Sequence, residues 1–261
     1  MKRHVQVFLS PLLLGAACAA APALAQDADA KAAAPAPAIS VTGNVAIVSQ
    51  YRFRGISQSD GDMAIQGGLT VSHESGFYLS TWASNLGGFG TYGGANMELD
   101  LIGGYKHSFG KATVDGGLLW YVYPGTSGHN YAEPYLNVSA PVGPVSLKVG
   151  ANYAPKQREI GNNDSLYVYG EASVAIPHTP ITLLSHFGHT DGRGATPAGP
   201  TGHYNDWSLG AAYSWKMLTL NVSYVDTDIR RADADAFYTS GGTPGHEIAD
   251  GAVVASLTAS F

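Results

Sequence analysis

The segment Ser72-His73-Glu74-Ser75 is where nucleophilic chemistry is easiest to place in this sequence. His73 and Ser75 are two residues apart, so on a β-strand their side chains share one face, and the imidazole could activate the hydroxyl. A catalytic histidine also needs a third group that orients it. The sequence offers no evident acidic or amide partner, so a membrane-embedded hydrolase is the least favoured of the hypotheses below.

Three other patterns suggest a cofactor or a metal, and their context argues against each. Residues 88–93 match G-x-G-x-x-G, but a strand pattern follows where a nucleotide site needs a helix. His186 and His189 fall on opposite faces of a strand, which is poor ligand geometry. Four aspartates near the C-terminus could bind a hard cation but lack EF-hand spacing, so a solvated acidic loop is the simpler interpretation. They are Asp226, Asp228, Asp233 and Asp235. We therefore predict no catalytic residue, no cofactor and no metal.

Most of the remaining charged and tyrosyl residues fall on one face of an alternating pattern. From Ser40 onward, apolar and polar residues alternate, which is typical of β-strands with one apolar face and one face in contact with water. The residues of the water-facing side that we predict to line a lumen are Arg52, Arg54, Glu98, Asp100, Asp115, Tyr121, Tyr123, Glu133, Lys148, Tyr167, Tyr169 and Glu171. A basic strip facing acidic strands would orient and select small polar solutes. The alternative is a salt-bridge and tyrosine network that fills a narrow barrel.

The alternation predicts twelve strands. They are 41–54, 63–73, 76–86, 96–107, 111–123, 131–140, 145–154, 165–176, 181–190, 203–214, 218–228 and 250–261. Most have about ten to thirteen residues, the length that a tilted strand needs to cross a bilayer. An even number places both termini on one side. The strand 131–140 contains Pro134, and proline interrupts strand pairing.

The connections between these strands are alternately short and long. Short periplasmic turns and longer outer loops are typical of outer-membrane barrels. We therefore predict an all-β fold: a transmembrane antiparallel up-and-down β-barrel with periplasmic N and C termini.

Aromatic residues on the apolar face form two bands. Phe77, Tyr105, Tyr213 and Phe261 fall near the short turns, and Tyr51, Phe53, Trp120, Tyr153, Phe187 and Trp207 fall toward the long loops. Two such girdles are expected where aromatic rings lie at the headgroup level. The alternative is a soluble antiparallel barrel or sandwich, whose apolar face would lie inside.

The N-terminal region has the features of an export signal. Lys2 and Arg3 precede a short apolar run, and Ala23 and Ala25 form an A-x-A site. We predict a signal peptide over 1–25, a flexible Ala/Pro-rich lead-in over 26–39 and the barrel over 40–261. A retained anchor is disfavoured because the run is too short to span a membrane. A lipoprotein site at Cys18 is disfavoured because Gly15 stands where a branched apolar residue is wanted.

Composition excludes several classes of function. Only 13% of residues are charged, and no apolar run reaches the length of a transmembrane helix. Loss of Lys2 and Arg3 would leave 12 basic against 20 acidic residues, which argues against a nucleic-acid partner. Loss of Cys18, the one cysteine, would remove any thiolate site.

The last strand ends on an aromatic residue, Phe261, after alternating apolar positions. This pattern resembles the C-terminal signal that the outer-membrane insertion machinery recognises. We expect the strand to pair with the first one, because an open sheet edge in lipid leaves backbone groups unpaired.

Several segments resemble a known family. They include 50–60, 64–68, 72–78 and 82–85, followed by Glu98-Leu99-Asp100-Leu101, Gly104-Tyr105 and residues 121–125. Together they are similar to the TorF-type family of outer-membrane porins of proteobacteria. The resemblance spans nearly all of the chain after the signal peptide and is strongest before residue 135. It implies an outer-membrane channel.

Our leading hypothesis is therefore an exported outer-membrane channel, monomeric or trimeric, through which small hydrophilic solutes diffuse passively. Its partners would be the lipid bilayer, the insertion machinery and the solutes. The second hypothesis is a non-conducting barrel whose outer loops act as a receptor, an adhesin or a structural element. The two hypotheses differ in whether four inward side chains line an opening or close it. These are Arg52, Arg54, Glu98 and Asp100.

Overall fold

The chain folds into a closed barrel of twelve antiparallel strands. The computed structural model describes residues 38–192, 198–238 and 243–261. Each barrel strand pairs with its neighbours in chain order, and the first strand closes against the last. The predicted signal peptide and residues 26–37 of the predicted lead-in lie outside the described residues.

The predicted twelve-stranded fold is confirmed. The barrel strands are β1 (Ile39–Val48), β4 (Ala64–His73), β5 (Phe77–Asn85), β6 (Met97–Phe109), β7 (Ala112–Val122), β8 (Tyr131–Val142), β9 (Val145–Ala154), β10 (Ser165–Ala175), β11 (Ile181–Asp191), β12 (His203–Trp215), β13 (Leu218–Thr227) and β14 (Ala252–Ser260). A two-stranded hairpin consists of β2 (Arg52–Phe53) and β3 (Ile56–Ser57). Two α-helices are described, α1 (Arg231–Phe237) and α2 (Gly245–Ala249).

Side chains alternate between the two surfaces of the barrel wall. In β1, Val45 and Ile47 are exposed on the outer surface, whereas Ala46 and Val48 are buried inside. The register carries this alternation around the barrel, since Val48 pairs with Ala64 on one side and Ser256 on the other. The outer surface is therefore apolar and the inner surface largely polar, the reverse of a soluble β-protein.

Strand β8 runs through its proline. Pro134 pairs in register with Leu118 of β7 and is exposed on the outer surface. The strand continues beyond the predicted end at residue 140 to Val142. One proline removes a single N–H from the ladder, and the neighbouring pairs hold the register.

The first strand is shorter than predicted. We predicted 41–54, but β1 ends at Val48. Ser49 still donates to the Ala255 carbonyl of β14 at 2.8 Å, and the chain then leaves the wall and folds into the barrel before β4 begins at Ala64. The period-2 pattern of the sequence continues past Val48, but in the structure Tyr51, Arg52 and Arg54 are all buried, so the pattern no longer marks two faces of the wall. Alternation identifies the faces of an extended segment and does not show whether that segment stays in the wall.

The barrel closes at its last residue. The amide of Gly43 donates to the Phe261 carbonyl at 2.8 Å, and the amide of Phe261 donates to the Gly43 carbonyl at 3.0 Å. The Phe261 ring lies over Gly43, where an added Cβ would come within 2.8 Å of ring atom Cε2. A glycine at position 43 therefore makes room for the terminal aromatic ring.

The connections differ in length at the two ends of the barrel. Those at one end are short, such as residues 74–76 and 216–217, and we call it the turn end. Those at the other, the loop end, include residues 86–96 and 228–251. The loop end also carries short 3-10 helices at Gly88–Gly90, Tyr92–Gly94 and Arg158–Ile160. No helix within the described residues is long and apolar enough to cross a membrane.

Candidate functional site in the barrel interior

Residues 49–63, which we call the inserted segment, fill part of the lumen near the loop end. The hairpin β2–β3 turns at Arg54 and Gly55, whose φ angles are +47° and +82°. Gly55 packs against the wall so closely that an added Cβ would collide with Thr227 Cγ2. The backbone carbonyl of Tyr51 accepts a bond from the Gln58 amide at 2.7 Å, which ties the two arms together. The inserted segment therefore presents its side chains to the inner face of the barrel.

An ion pair links the inserted segment to the wall. Arg54 Nη2 donates to both carboxylate oxygens of Glu133 on β8, at 2.7 and 2.8 Å. Neither side chain has any exposed surface. The guanidinium carbon lies 4.7 Å from the Phe53 ring centre and 4.2 Å from that of Tyr167. A charge buried to this degree is stable only with its partner, so the pair fixes the position of the inserted segment.

Tyr51 belongs to the interior, and our prediction that it lies in the aromatic girdle is wrong. Its side chain is buried, and its hydroxyl donates to Glu98 Oε1 at 2.9 Å. Tyr123 donates to the other oxygen of Glu98 at 3.3 Å. Phe53, also predicted in the girdle, is half-buried and packs edge-on against Tyr121, with 5.9 Å between ring centres. Both errors have one cause, the departure of the chain from the wall after Val48.

Arg52 is buried near the loop end. Its Nη1 donates to the carbonyls of Gly55 at 2.8 Å and Asp250 at 2.7 Å, and its Nε donates to Gln50 at 2.9 Å. Burial lowers the pKa of the Arg52 guanidinium to about 10, while the carboxylates of Asp226 and Asp250 act in the opposite direction. Arg52 therefore remains charged at neutral pH.

A chain of ionisable groups runs across the inner faces of four adjacent strands, β9 to β12. Lys148 Nζ donates to Glu171 at 3.2 Å, and His186 lies 3.7 Å from Glu171 and 3.0 Å from Asp206. Tyr167 donates to the same Asp206 carboxylate at 3.2 Å. The interior thus holds paired charges on the side formed by β9 to β12.

A second group of contacts lies nearer the turn end. Tyr78 donates to Asp115 at 2.8 Å, and its hydroxyl also contacts that of Tyr135. Lys148 Nζ lies 5.0 Å from the centre of the Tyr169 ring, within range of a cation–π contact.

The twelve residues that we predicted to line a lumen are either buried inside the barrel or half-buried on its inner face.

Several buried polar atoms have no hydrogen-bond partner among the described residues. They include Arg54 Nε and Nη1, Asp100 Oδ1 and Asp206 Oδ2. Buried polar groups in proteins are nearly always hydrogen-bonded, to protein or to ordered water. An interior with such groups is suited to polar molecules and not to an apolar ligand.

Sequence reasoning missed several inward-facing groups. Tyr78, Lys106 and Asp206 were not proposed for the lumen, and His186 was considered only as a metal ligand. All four lie at inward register positions, since Lys106 pairs with Asp115 and His186 with Glu171. The alternation contains this information, because counting by two from Glu98 along the predicted strand 96–107 reaches Lys106.

The other predicted girdle residues lie on the outer surface. Near the turn end, Phe77, Tyr105, Tyr213 and Phe261 are exposed. Toward the loop end, Trp120, Tyr153 and Phe187 are exposed. Trp207 is half-buried at an outward position, paired in register with Phe187.

The residues that suggested other chemistries have these surroundings in the described part of the chain. His73 Nδ1 lies 2.7 Å from Ser75 Oγ at the turn end, but no carboxylate of the described residues contacts His73. The residues 88–93 form 3-10 turns. Each of the four aspartates has a different partner: Tyr224 for Asp226, Asn205 for Asp228, Arg230 for Asp233 and His246 for Asp235. In the described part of the chain no group of acidic, histidine or cysteine residues could hold a metal ion.

One family model matches this chain. It is described as "Bacterial protein of unknown function (Gcw_chp)" and matches residues 31–261. Among curated proteins, none matches.

Solved structures share the fold at low sequence identity. A structure titled "NanC porin" has a TM-score of 0.55 and 14% identity, covering 85% of this chain and 99% of that one. A structure titled "KdgM porin" has a TM-score of 0.53 and 11% identity, covering 84% and 98%. The KdgM porin in complex with disordered oligogalacturonate has the same TM-score and identity, covering 85% and 98%. At these identities, the similarity shows the fold alone.

Proposed function

The chain belongs to the Gcw_chp family of bacterial proteins, and we propose that it is an outer-membrane channel through which small hydrophilic solutes diffuse passively. The observation that carries the proposal is the polarity of the closed barrel, apolar outside and polar inside. A closed barrel leaves no unpaired sheet edge, so its strands can lie in lipid. The polar interior offers hydrogen bonds to water and solutes.

The proposal extends to the predicted lumen residues and to the orientation. We propose that Arg54, Glu98, Glu133 and the other predicted inward residues line the passage. The long loops would face outward and both termini would face the periplasm, as in other outer-membrane barrels. Export by a cleaved signal peptide and insertion through the terminal Phe261 pattern are parts of the same proposal. The titles of the NanC and KdgM structures, and the TorF-type resemblance, support it by analogy of fold.

A second candidate is a non-conducting barrel that acts through its loops. The observation that favours it is the fully buried ion pair between Arg54 and Glu133, which holds the inserted segment inside the lumen. A barrel of twelve strands has a diameter between that of filled eight-stranded barrels and that of sixteen-stranded porins, so one folded segment can block much of it.

Reconstitution of the purified protein in a planar bilayer separates the two functions. We expect discrete conductance steps, with an ion selectivity that changes in Glu98→Gln. The same substitution at Glu74, in a turn outside the lumen, is the matched control and should leave selectivity unchanged. Folded protein is verified by its heat-modifiable migration in electrophoresis. A folded barrel that leaves the bilayer electrically tight would rule out the channel and favour the non-conducting barrel.

A further inference from the structure

A cavity of about 350 Å³ lies at the loop end, between the inserted segment and the connection that carries α1 and α2. Known small-molecule sites have volumes of roughly 300–1,000 Å³, so this one can hold a single small solute. Its charged lining residues carry both signs. They are Arg52, Arg231, His246, Asp60, Glu247 and Asp250.

Some of these charges already have protein partners. Asp250 Oδ2 lies 2.9 Å from Arg231 Nη2, and the Asp250 carbonyl accepts a bond from Arg52 Nη1. His246 Nδ1 lies 2.8 Å from Asp235 Oδ1. These groups satisfy one another and form the frame of the cavity.

Glu247 is exposed to solvent, and among the other lining charges two of opposite sign keep unused hydrogen-bonding capacity. Arg52 bonds through Nε and Nη1, and its Nη2 makes no hydrogen bond to any described residue. Asp60 Oδ2 accepts one hydrogen bond, from Thr243 Oγ1 at 3.0 Å, and a carboxylate oxygen has capacity for a second. Asp60 Oδ1 has almost no accessible surface and no partner in the described part of the chain. Arg52 and Asp60 do not pair with each other among the described residues. One cationic donor and one anionic acceptor therefore line the same small cavity.

We propose that this cavity binds a small zwitterion of the α-amino-acid type. The ligand carboxylate would accept hydrogen bonds from Arg52, and the ligand ammonium group would donate to Asp60. A simple anion would leave Asp60 unpaired and a simple cation would leave Arg52 Nη2 unpaired, and an unpaired buried charge is unfavourable. Equilibrium binding at this site does not require that the barrel conducts.

The first test measures binding to the full-length folded barrel in detergent. Each proteinogenic amino acid is screened by saturation-transfer NMR, and the best binder is then titrated by calorimetry beside its α-amide and its N-acetyl derivative. The amide retains only the positive charge, and the N-acetyl derivative only the negative one. We expect saturable binding of the parent and affinities about tenfold or more lower for both derivatives, because each loses charge-assisted hydrogen bonds. Absence of binding by every amino acid, or a derivative that binds as tightly as its parent, would overturn the proposal.

Two variants assign the ligand groups. Arg52→Gln should weaken the parent and the N-acetyl derivative about tenfold or more and leave the amide unchanged. Asp60→Asn should weaken the parent and the amide and leave the N-acetyl derivative unchanged, and asparagine tolerates the φ of +60° at this position. Arg158→Gln, on another connection at the loop end, is the matched control and should retain full affinity.

The variants keep the test decisive even if one of them fails to fold. Heat-modifiability verifies the fold of each protein, and if Arg52→Gln does not fold, an unchanged parent affinity in Asp60→Asn alone refutes the site. A barrel that binds the amino acid but does not conduct would refute only the proposed channel. A barrel that conducts but binds no amino acid would refute only the zwitterion site.

Discussion

At the scale of single residues, the interior depends on charges that cannot reach bulk water. Arg54 and Glu133 have no exposed surface, and Glu133 also accepts bonds from Tyr121 at 3.0 Å and Asn152 at 3.1 Å. Bringing both charges into the barrel is unfavourable unless every donor and acceptor finds a partner. Removing one member should therefore be far more damaging than replacing both.

The substitution Glu133→Gln should destabilise the barrel by about 3–5 kcal/mol, because it leaves the Arg54 charge buried without its partner. The double variant Arg54→Met, Glu133→Leu should recover most of that loss, since it removes both charges. Urea unfolding of the barrel in lipid vesicles measures each value. Glu171→Gln is the control: that side chain is 39% exposed, so its loss should cost about 1 kcal/mol or less. A loss for Glu133→Gln as small as that of the control would show that the pair does not hold the inserted segment.

At the scale of elements, the inserted segment is the part of the barrel that sequence patterns described least well. Bounds of the regular strands were predicted within a few residues, because each one has an apolar and a polar face. Alternation from Gln50 to Arg54 looked like a continuation of β1. The groups that hold this segment inside, Glu98 for Tyr51 and Glu133 for Arg54, lie far away in sequence. Local patterns do not contain such contacts, so the route of the segment could not be predicted from them.

Alanine substitutions at Gly55 and Gly61 test how closely the inserted segment packs against the barrel wall. Both have similar positive φ angles, +82° and +81°. Alanine at either site should cost about 1–2 kcal/mol for the left-handed backbone. Gly55→Ala should cost about 1–3 kcal/mol more, because its Cβ would meet Thr227 and Asp206, whereas Gly61 faces open space. Urea unfolding of the two variants gives the difference directly, and equal losses would show that the segment does not pack closely against β12 and β13.

Shortening the inserted segment tests whether it narrows the passage. Val48 and Ala64, which flank it, are register partners, so a tight hairpin turn can replace residues 49–63. We expect a larger single-channel conductance than in the full-length barrel, because the shortened connection no longer enters the lumen. A shortened barrel that folds but conducts no better would mean that the passage is limited elsewhere.

At the scale of the whole molecule, the interior carries an excess of negative charge. The carboxylates that face inward among the described strands are Glu98, Asp100, Asp115, Glu133, Glu171 and Asp206. Inside the barrel they are balanced only in part by Arg52, Arg54, Lys106, Lys148 and, when it is protonated, His186. A low-dielectric wall strengthens the field of such an imbalance along the passage.

This imbalance predicts a cation-selective channel. In a KCl gradient across a planar bilayer, the reversal potential should indicate that K⁺ is more permeant than Cl⁻, because the excess carboxylates attract cations into the lumen. The ratio of K⁺ to Cl⁻ permeability should fall toward 1 near 1 M salt, where the Debye length shrinks to about 3 Å. Glu98→Gln should reduce the K⁺ preference at low salt, and Lys148→Gln should increase it. The glutamine oxygen can accept from the hydroxyl of Tyr51 or of Tyr123, and its NH2 group can donate to the other hydroxyl. Anion selectivity of the unmodified barrel would show that Arg52, Arg54 and the lysines, and not the carboxylates, dominate the field that a permeating ion meets.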